Sequence, residues 1–279
     1  MPHYTQTPAP IGIFDSGYGG LTILNDIQKL LPRYDYIYLG DNARTPYGSR
    51  SFDVVYEYTL QCVKQLFEQG CHLVILACNT ASAKALRTIQ QNDLAQLDPH
   101  RRVLGVIRPT VEEIGNITHT RHVGLLGTVG TIQSESYPLE IKKLYPDIRV
   151  VGEACPMFVP LIENNEHNDA GADFFVQKYI SELLAKDNKI DTIILGCTHY
   201  PLLQQKIKAI LPDKIQVVSQ GRYVAASLAT YLLRHPEIDA KCTKGGKVSY
   251  YTTESPEKFI SSASIFLNIT IDAQRVALD

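Results

Sequence analysis

Short apolar runs alternate with longer amphipathic segments along most of the chain. Eight runs of strand length lie at 11–15, 34–41, 72–78, 102–107, 122–128, 149–155, 191–197 and 215–221. Between them, segments such as 53–69 and 172–185 place apolar residues near helical spacing. This alternation is typical of βα units, and it predicts parallel sheets covered by helices on both faces.

The third predicted strand of each half ends in the same way. Residues 73–83 read LVILACNTASA and residues 192–202 read TIILGCTHYPL, so each apolar run stops at a cysteine that small polar residues follow. This repeat predicts an α/β fold with two pseudosymmetric lobes, each a mostly parallel sheet flanked by helices. Ligands bind beyond the carboxyl ends of strands in such sheets, so we expect the active site in the cleft between the lobes.

The predicted domain boundaries follow from two crossings of the chain. Pro109 interrupts the sequence after the fourth run, and a second crossing follows the eighth run. The residues after 221 contain one helical segment, 224–233, and one short strand, 247–253. We therefore expect residues 1–107 and 222–279 to form the first lobe and residues 108–221 to form the second.

Composition excludes several classes of partner. The chain has 279 residues, of which 44% are hydrophobic and 20% charged, with a net charge of −2 and no long run of either sign. No basic patch for nucleic acid or anionic membrane is present, and the longest apolar stretches are far shorter than the roughly 18 residues of a transmembrane helix. The first ten residues lack the features of a secretory signal, so we expect a cytoplasmic protein.

Cys78 and Cys197 are the strongest candidates for chemistry. A single cysteine among apolar residues is usually a small core residue, but two in equivalent positions at strand ends favour a functional role. A helix amino terminus stabilises a thiolate, so the pattern predicts a lowered pKa for both thiols and a role in proton transfer. The residues that follow can donate hydrogen bonds to a carboxylate or act as helix caps: Asn79, Thr80, Thr198 and His199.

The remaining four cysteines receive no chemical role in this interpretation. Cys62 is expected in a helix, Cys71 at the start of a strand, Cys155 before a proline and Cys242 in a polar loop. All six are spread thinly and without CxxC spacing, which indicates neither a disulfide framework nor a four-cysteine zinc site. His199 has no partner at ligand spacing beyond Cys197, so no metal is expected. No lysine stands at a strand end in a setting suited to pyridoxal phosphate, and no cofactor is expected either.

Three further segments place polar residues after apolar runs. Asp15 and Ser16 precede several glycines, in a ligand-binding loop or a tight turn with Ser16 as helix cap. This segment matches neither the dinucleotide nor the P-loop pattern. Residues 41–50, DNARTPYGSR, form a second ligand loop or a surface turn, and Glu163 follows a later apolar run where an acid is usually solvated.

These motifs together resemble those of the glutamate racemase family. The matching segments run in order from residue 11 to about 221: IGIFDSGYGGLTIL, IYLGDNARTPYG, ACNTASA, GVI, LLGTVGT, ACPMFVPLIE and LGCTHYPLL. The resemblance implies a cofactor-independent enzyme that interconverts L- and D-glutamate and supplies the D-isomer for peptidoglycan. It also implies two domains that close over the substrate, and we expect a homodimer.

The resemblance also implies roles for individual residues. Cys78 and Cys197 would be the acid/base thiols on opposite faces of the substrate, supported in proton transfer by Asp15, Asp41, Glu163 and His199. The substrate-binding residues would be Asp15, Ser16, Asp41, Tyr47, Gly48, Asn79, Thr80, Thr198 and His199. The chain departs from the family at Ser219-Gln220-Gly221, where Asp-Ser-Gly is usual, and at Asn42, where threonine is usual, and Arg108 falls in a segment where the family varies.

Three alternatives remain open at this point. An aspartate racemase or another racemase with two thiols would share the motifs but exchange the α-proton of a different substrate. A binding or regulatory protein would keep the fold without turnover, although it has no need of paired bases. A redox protein would bring Cys78 and Cys197 close enough to form a disulfide.

Overall fold

Two parallel sheets organise the chain in the computed structural model, which describes residues 5–267 and 269–278. The first sheet has the order β10-β9-β2-β1-β3-β4 and the second the order β6-β5-β7-β8. The strands are β1 (Ile11–Asp15), β2 (Tyr36–Gly40), β3 (Leu73–Leu76), β4 (Arg102–Gly105), β5 (His122–Gly127), β6 (Arg149–Ala154), β7 (Thr192–Gly196), β8 (Gln216–Val218), β9 (Val248–Thr252) and β10 (Ala273–Arg275). Every pairing between these strands is parallel, as the sequence predicts.

Helices connect the strands and cover both sheets. In chain order they are α1 (Gly20–Leu30), α2 (Phe52–Glu68), α3 (Asn79–Lys84), α4 (Leu86–Thr88), a π-helical turn (Ile89–Asp93), α5 (Leu94–Leu97), α6 (Ile107–Ile117), α7 (Val129–Gln133), α8 (Ser136–Leu144), α9 (Phe158–Glu163), α10 (Ala170–Lys186), a 3₁₀ turn (Tyr200–Leu203), α11 (Gln204–Ile210), α12 (Gly221–Arg234), α13 (Pro236–Asp239) and α14 (Pro256–Ala263). None in the described part of the chain is long and apolar enough to cross a membrane.

Each sheet separates two apolar cores. On β3, Leu73 and Ile75 pack into one core, whereas Val74 and Leu76 pack into the core on the opposite face. On β7, Ile193 and Ile194 divide between two cores in the same way. Burial on both faces explains why these strands are continuous apolar runs rather than alternating ones.

The eight predicted strands are all present, but several end earlier than the apolar pattern indicates. The run at 72–78 ends as a strand at Leu76, so that Cys78 lies just beyond β3 at the start of α3. The run at 215–221 keeps only three strand residues because Gly221 already begins α12. The short strand β10 has exposed polar residues and no apolar pattern, and sequence reasoning missed it.

Two expectations about the connections are wrong. Pro109 does not interrupt the chain but lies in the first turn of α6, where a helix needs no backbone N–H from that residue. Cys242 is not in a polar loop, because its side chain is buried in the apolar core of the first sheet. There it forms an isolated parallel bridge with Ala9.

The carboxy-terminal strands pair with the first sheet. Strand β9 joins β2 and β10 joins β9, and α12 packs against α1. Helix α6, which begins at the predicted boundary, contacts both α8 and α12. We retain residues 1–107 with 222–279 as the proposed first lobe, and residues 108–221 as the proposed second.

Candidate active site

The loops after the strands of both sheets enclose one small cavity. Its volume is about 100 Å³. Nine of the residues singled out in the sequence line it: Ser16, Tyr47, Gly48, Cys78, Asn79, Thr80, Cys197, Thr198 and His199. The cavity therefore has one cysteine from the end of β3 and one from the end of β7 in its wall.

Cys78 is a buried thiol that caps a short helix. Its sulfur accepts hydrogen bonds from the backbone N–H of Ala81 at 3.4 Å and from the hydroxyl of Ser16 at 3.2 Å. Burial and the nearby carboxylate of Asp15 raise the pKa of Cys78 to about 12, although the two hydrogen bonds lower it. The expected lowering of this pKa is wrong, because desolvation outweighs the helix terminus.

Cys197 has a histidine and a glutamate beside it. Its sulfur lies 3.8 Å from His199 Nδ1, and His199 Nε2 lies 2.9 Å from Glu163 Oε1. Burial lowers the pKa of His199, but the hydrogen bonds with Cys197 and Glu163 outweigh burial and raise it to about 10. The ring is therefore an imidazolium at neutral pH, and both of its nitrogens donate.

Asp15 lies beneath the cavity rather than in its wall. It is fully buried, and its Oδ2 accepts the backbone N–H of Gly17 at 3.0 Å. Burial raises the pKa of Asp15, whereas the charge of His199 lowers it. Ser16 is not the helix cap that the sequence allowed, because α1 begins at Gly20 with Gly19 as its cap.

Asp41 is also outside the cavity wall and is fully buried. It accepts hydrogen bonds from Arg44 Nε at 2.7 Å, from the hydroxyl of Thr253 at 2.8 Å and from the hydroxyl of Tyr47. Tyr47 itself lines the cavity. Asp41 therefore contacts the site through Tyr47, and Glu163, which does not line the cavity either, contacts it through His199.

Sequence reasoning did not single out every residue of the wall, although three of the others lie in the loop 41–50 that it named. The residues that it did not single out are Thr45, Pro46, Ser49, Thr128, Val129, Cys155, Pro156, Val159 and Pro160. Thr128 follows β5 and caps α7, and its Oγ1 lies 2.9 Å from that of Thr80. A polar residue between a strand and a helix is the same signal that singled out Asn79, so Thr128 could have been found.

The two lobes touch directly around the cavity. The Thr22 hydroxyl donates to the Thr198 carbonyl at 3.0 Å, and the Gly130 N–H donates to the Gly48 carbonyl at 2.7 Å. A Cβ atom at Gly19 would lie 2.3 Å from both His199 Nδ1 and Thr198 Oγ1. These contacts hold the walls together and leave room only for a small ligand.

The described residues contain no group of three or more His, Cys, Asp or Glu side chains placed to hold a metal ion. All six cysteines are buried and unpaired, Cys78 and Cys197 included. Cys78 and Cys197 do not form a disulfide bond with each other, so this structure gives no support to the redox alternative.

Two α/β lobes enclose a small cavity, and each lobe contributes one thiol to its wall, an arrangement typical of an enzyme that acts on a small molecule. A model of the Asp/Glu/Hydantoin racemase family matches residues 19–228. The chain belongs to this family and is therefore a racemase, an isomerase.

Individual relatives cover nearly the whole chain. Glutamate racemase of Geobacter metallireducens is 38% identical over 96% of this chain and 97% of its own length. The solved glutamate racemase of Bacillus anthracis has a TM-score of 0.88 at 33% identity, covering 97% of this chain and 98% of that one. The enzyme of Francisella tularensis, solved in complex with D-glutamate, has a TM-score of 0.86 at 33% identity and covers 98% of both chains.

Proposed function

We propose that this protein is a glutamate racemase that interconverts L- and D-glutamate by a two-base mechanism without a cofactor. The observation that carries the proposal is the pair of thiols, Cys78 and Cys197, that reach one cavity from different lobes. Inversion at the α-carbon removes a proton from one face and returns a proton to the other. Two acid–base groups on opposite sides of the α-carbon can carry out both proton transfers without any large movement of the substrate.

Glutamate is the substrate that the relatives favour. Glutamate racemases at 33–41% identity match this chain over at least 94% of its length. The relative from Francisella tularensis was solved with D-glutamate. An aspartate racemase remains the alternative within the same family, and the assay below separates the two.

In the proposed reaction one cysteine is a thiolate and the other a thiol. The thiolate takes the α-proton, so that the C–H bond breaks, an S–H bond forms, and the electron pair stays on the α-carbon and its carboxylate. The opposite S–H then breaks and its proton forms the new C–H bond. The catalyst ends with the protonation states of the two thiols exchanged, and no oxidation or reduction takes place.

The surroundings of the two thiols support a starting assignment. The pKa of about 12 keeps Cys78 protonated at neutral pH. The imidazolium of His199, 3.8 Å from the sulfur of Cys197, stabilises negative charge on that sulfur. Cys197 is therefore our proposed first base and Cys78 our proposed first acid, with the roles reversed for the other enantiomer.

The remaining residues of the cavity wall are proposed to bind the substrate and the charge that develops on it. Hydroxyl, amide and backbone donors after the strand ends suit a carboxylate, and they act more strongly in a site that excludes water. These groups belong to Ser16, Tyr47, Gly48, Asn79, Thr80, Thr198 and His199, the last through its backbone N–H because its ring nitrogens contact Cys197 and Glu163. Asp15 and Asp41, which are buried behind the wall, are proposed to act through Cys78 and Tyr47.

We also propose that the protein works in the cytoplasm as a homodimer and supplies D-glutamate for peptidoglycan. The family resemblance supports this physiological role.

Incubation with L-glutamate in deuterated water tests the proposal. We expect the circular dichroism signal to decay as deuterium enters the α-carbon, and we expect no reaction with aspartate. Activity confined to aspartate would make the choice of substrate wrong. Tight binding of glutamate without exchange would favour the binding protein instead.

Substitution of the thiols tests the mechanism. Cys78→Ala and Cys197→Ala should each abolish racemisation, and the serine variants should keep little activity because an alcohol is a far poorer base. Cys242→Ala is the matched control, since this thiol is buried in the first core away from the cavity and its loss should leave exchange intact. Full activity in both Cys78→Ala and Cys197→Ala would end the two-base account.

A further inference from the structure

Three buried side chains from distant parts of the chain form a closed cycle of hydrogen bonds behind the cavity. Asn79 follows β3 and lines the cavity, Tyr137 lies on α8, and Gln220 lies between β8 and α12. We call these three residues the Asn79 network. We propose that Gln220 is a positioning residue that, with Tyr137, holds the Asn79 amide in the orientation that binds the substrate.

The bonds of the network run in one direction. Asn79 Nδ2 donates to Gln220 Oε1 at 2.6 Å, and Gln220 Nε2 donates to the Tyr137 hydroxyl oxygen at 2.6 Å. The Tyr137 hydroxyl donates in turn to Asn79 Oδ1 at 2.6 Å. Each member is therefore both a donor and an acceptor, and the cycle closes.

A neighbouring backbone carbonyl decides the direction of the cycle. Turning both amides around would give a second closed cycle of opposite sense. Gln220 Nε2, however, also lies 3.2 Å from the carbonyl oxygen of Val106, which can only accept a hydrogen bond. The amide nitrogen of Gln220 must face this oxygen, and the orientation of Asn79 follows from it.

Burial makes an incomplete network costly. The exposed fractions are 2% for Asn79, 0% for Tyr137 and 3% for Gln220. A buried polar group that loses its partner finds no water to replace it, so a cycle that is broken at one point weakens all three members. The amide of Asn79 is consequently held without any contact from the substrate.

The network leaves part of Asn79 available to a ligand. It uses one of the two amide hydrogens of Asn79, and the second can be donated into the cavity that Asn79 lines. A carboxylate oxygen is the matching acceptor. This step rests on the proposed function, in which Asn79 binds glutamate.

Gln220 also connects the network to the arrangement of the lobes. It stands where the chain leaves β8 of the second sheet and enters α12, which packs against α1 of the first lobe. The three residues come from the start of α3, from α8 and from the β8–α12 connection, so the cycle closes only with both sheets in this relative position. The orientation of the Asn79 amide therefore depends on how the two lobes are positioned relative to each other.

The kinetic test uses Gln220→Met and Tyr137→Phe, which remove the hydrogen bonds with little change in volume. Each should raise the KM for L-glutamate about five- to tenfold, with a smaller change in kcat, because Asn79 loses its orientation before the substrate binds. The double variant should be no worse than the poorer single variant, since both act through one cycle. Ser219→Ala is the matched control: it removes the neighbouring hydrogen bond to Gln204 Oε1, at 2.6 Å, and should leave KM unchanged.

A second measurement tests the network without activity. In ¹⁵N–¹H spectra, Tyr137→Phe should shift the side-chain amide signals of both Asn79 and Gln220, whereas Ser219→Ala should leave the Asn79 signal in place. Unshifted Asn79 signals in Tyr137→Phe would overturn the proposal whether or not the protein racemises glutamate. The proposal would also be wrong if Gln220→Met and Tyr137→Phe both had the same KM as Ser219→Ala, even if their thermal stability were lowered. Failure of the unaltered protein to exchange the α-proton would instead count against the proposed function.

Discussion

At the scale of single residues, charge is distributed unequally between the two thiols. Cys78 lies beside the carboxylate of Asp15, and burial raises its pKa to about 12. Cys197 lies beside His199, whose pKa is raised to about 10 although burial opposes the charge. Two similar positions in the sequence therefore have opposite electrostatic surroundings, which suits a reaction that needs one acid and one base.

Glu163→Gln tests the charge of His199. The pKa of His199 is about 10 in the folded protein, against 6.5 for an unperturbed histidine, so the stability from its charged form is complete below pH 6.5 and is lost as pH rises to about 10. Removing the charge of Glu163 should lower this pKa and reduce the free energy of unfolding by about 1.5–3 kcal/mol near pH 6. The difference from the unaltered protein should shrink towards pH 10.

Denaturant unfolding at pH 6, 8 and 10, with an NMR titration of the His199 ring, measures both effects. Glu237→Gln is the control, because its contact with His235 is exposed and should contribute little. A stability difference that stays constant from pH 6 to pH 10 would contradict this assignment.

At the scale of elements, one aspartate joins the end of α6 to the start of β7. Asp191 accepts the backbone N–H groups of His119 and Thr120, each at 2.7 Å, and the hydroxyl of Thr118 at 2.6 Å. Burial raises the pKa of Asp191, but these hydrogen bonds outweigh burial and lower it to about 2. The connection before β5 is thereby fixed against β7, the strand that Cys197 follows.

Asp191→Asn should destabilise the protein by about 1–2 kcal/mol at pH 7, since an amide cannot accept both backbone hydrogen bonds with the strength of a carboxylate. The folded pKa is lowered from 3.8 to about 2, so the stability from the carboxylate is present above pH 3.8 and disappears as pH falls to about 2. In thermal unfolding, the difference in melting temperature between Asp191→Asn and the unaltered protein should be present above pH 3.8 and should disappear as pH falls to about 2.

Asp147→Asn is the matched control for this element. Asp147 forms an exposed ion pair with Arg121, close to the same connection, and its loss should cost less than Asp191→Asn. Equal losses in the two variants would contradict the assigned role of Asp191.

At the scale of the whole molecule, the lobes meet with almost no spare room. Gly19 has helical dihedral angles, φ −60° and ψ −31°, which alanine adopts easily. The position requires glycine for a different reason: an added Cβ atom would lie only 2.3 Å from His199 Nδ1 and from Thr198 Oγ1, which is too close for any real contact. The two lobes can therefore approach this closely only because residue 19 has no side chain.

Gly19→Ala should therefore hold the lobes apart. We expect kcat/KM for glutamate to fall at least tenfold, because overpacking of about 1–3 kcal/mol opposes the closed arrangement. Gly171→Ala is the control, since its Cβ would meet nothing within 4 Å and should leave the kinetics unchanged. Unaltered kinetics in Gly19→Ala would show that the closed contact is not needed for turnover.

The sequence alone was enough for the parallel sheets and the meeting of the two strand-end cysteines, because these follow from local patterns. Apolar runs of strand length alternating with helical segments leave few arrangements other than βα units, and strand ends in such units share one edge of a sheet. The same rule brought Ser16, Asn79 and His199 to the cavity wall.

Only the tertiary structure decided the environment of those residues. Neighbours that are distant in the chain cause the raised pKa of Cys78, the position of Asp41 behind Tyr47 and the hydrogen bond between Gln220 and Asn79. Burial and charge act through space, so local pattern predicts which residues reach a site, whereas packing between the lobes sets their protonation and orientation.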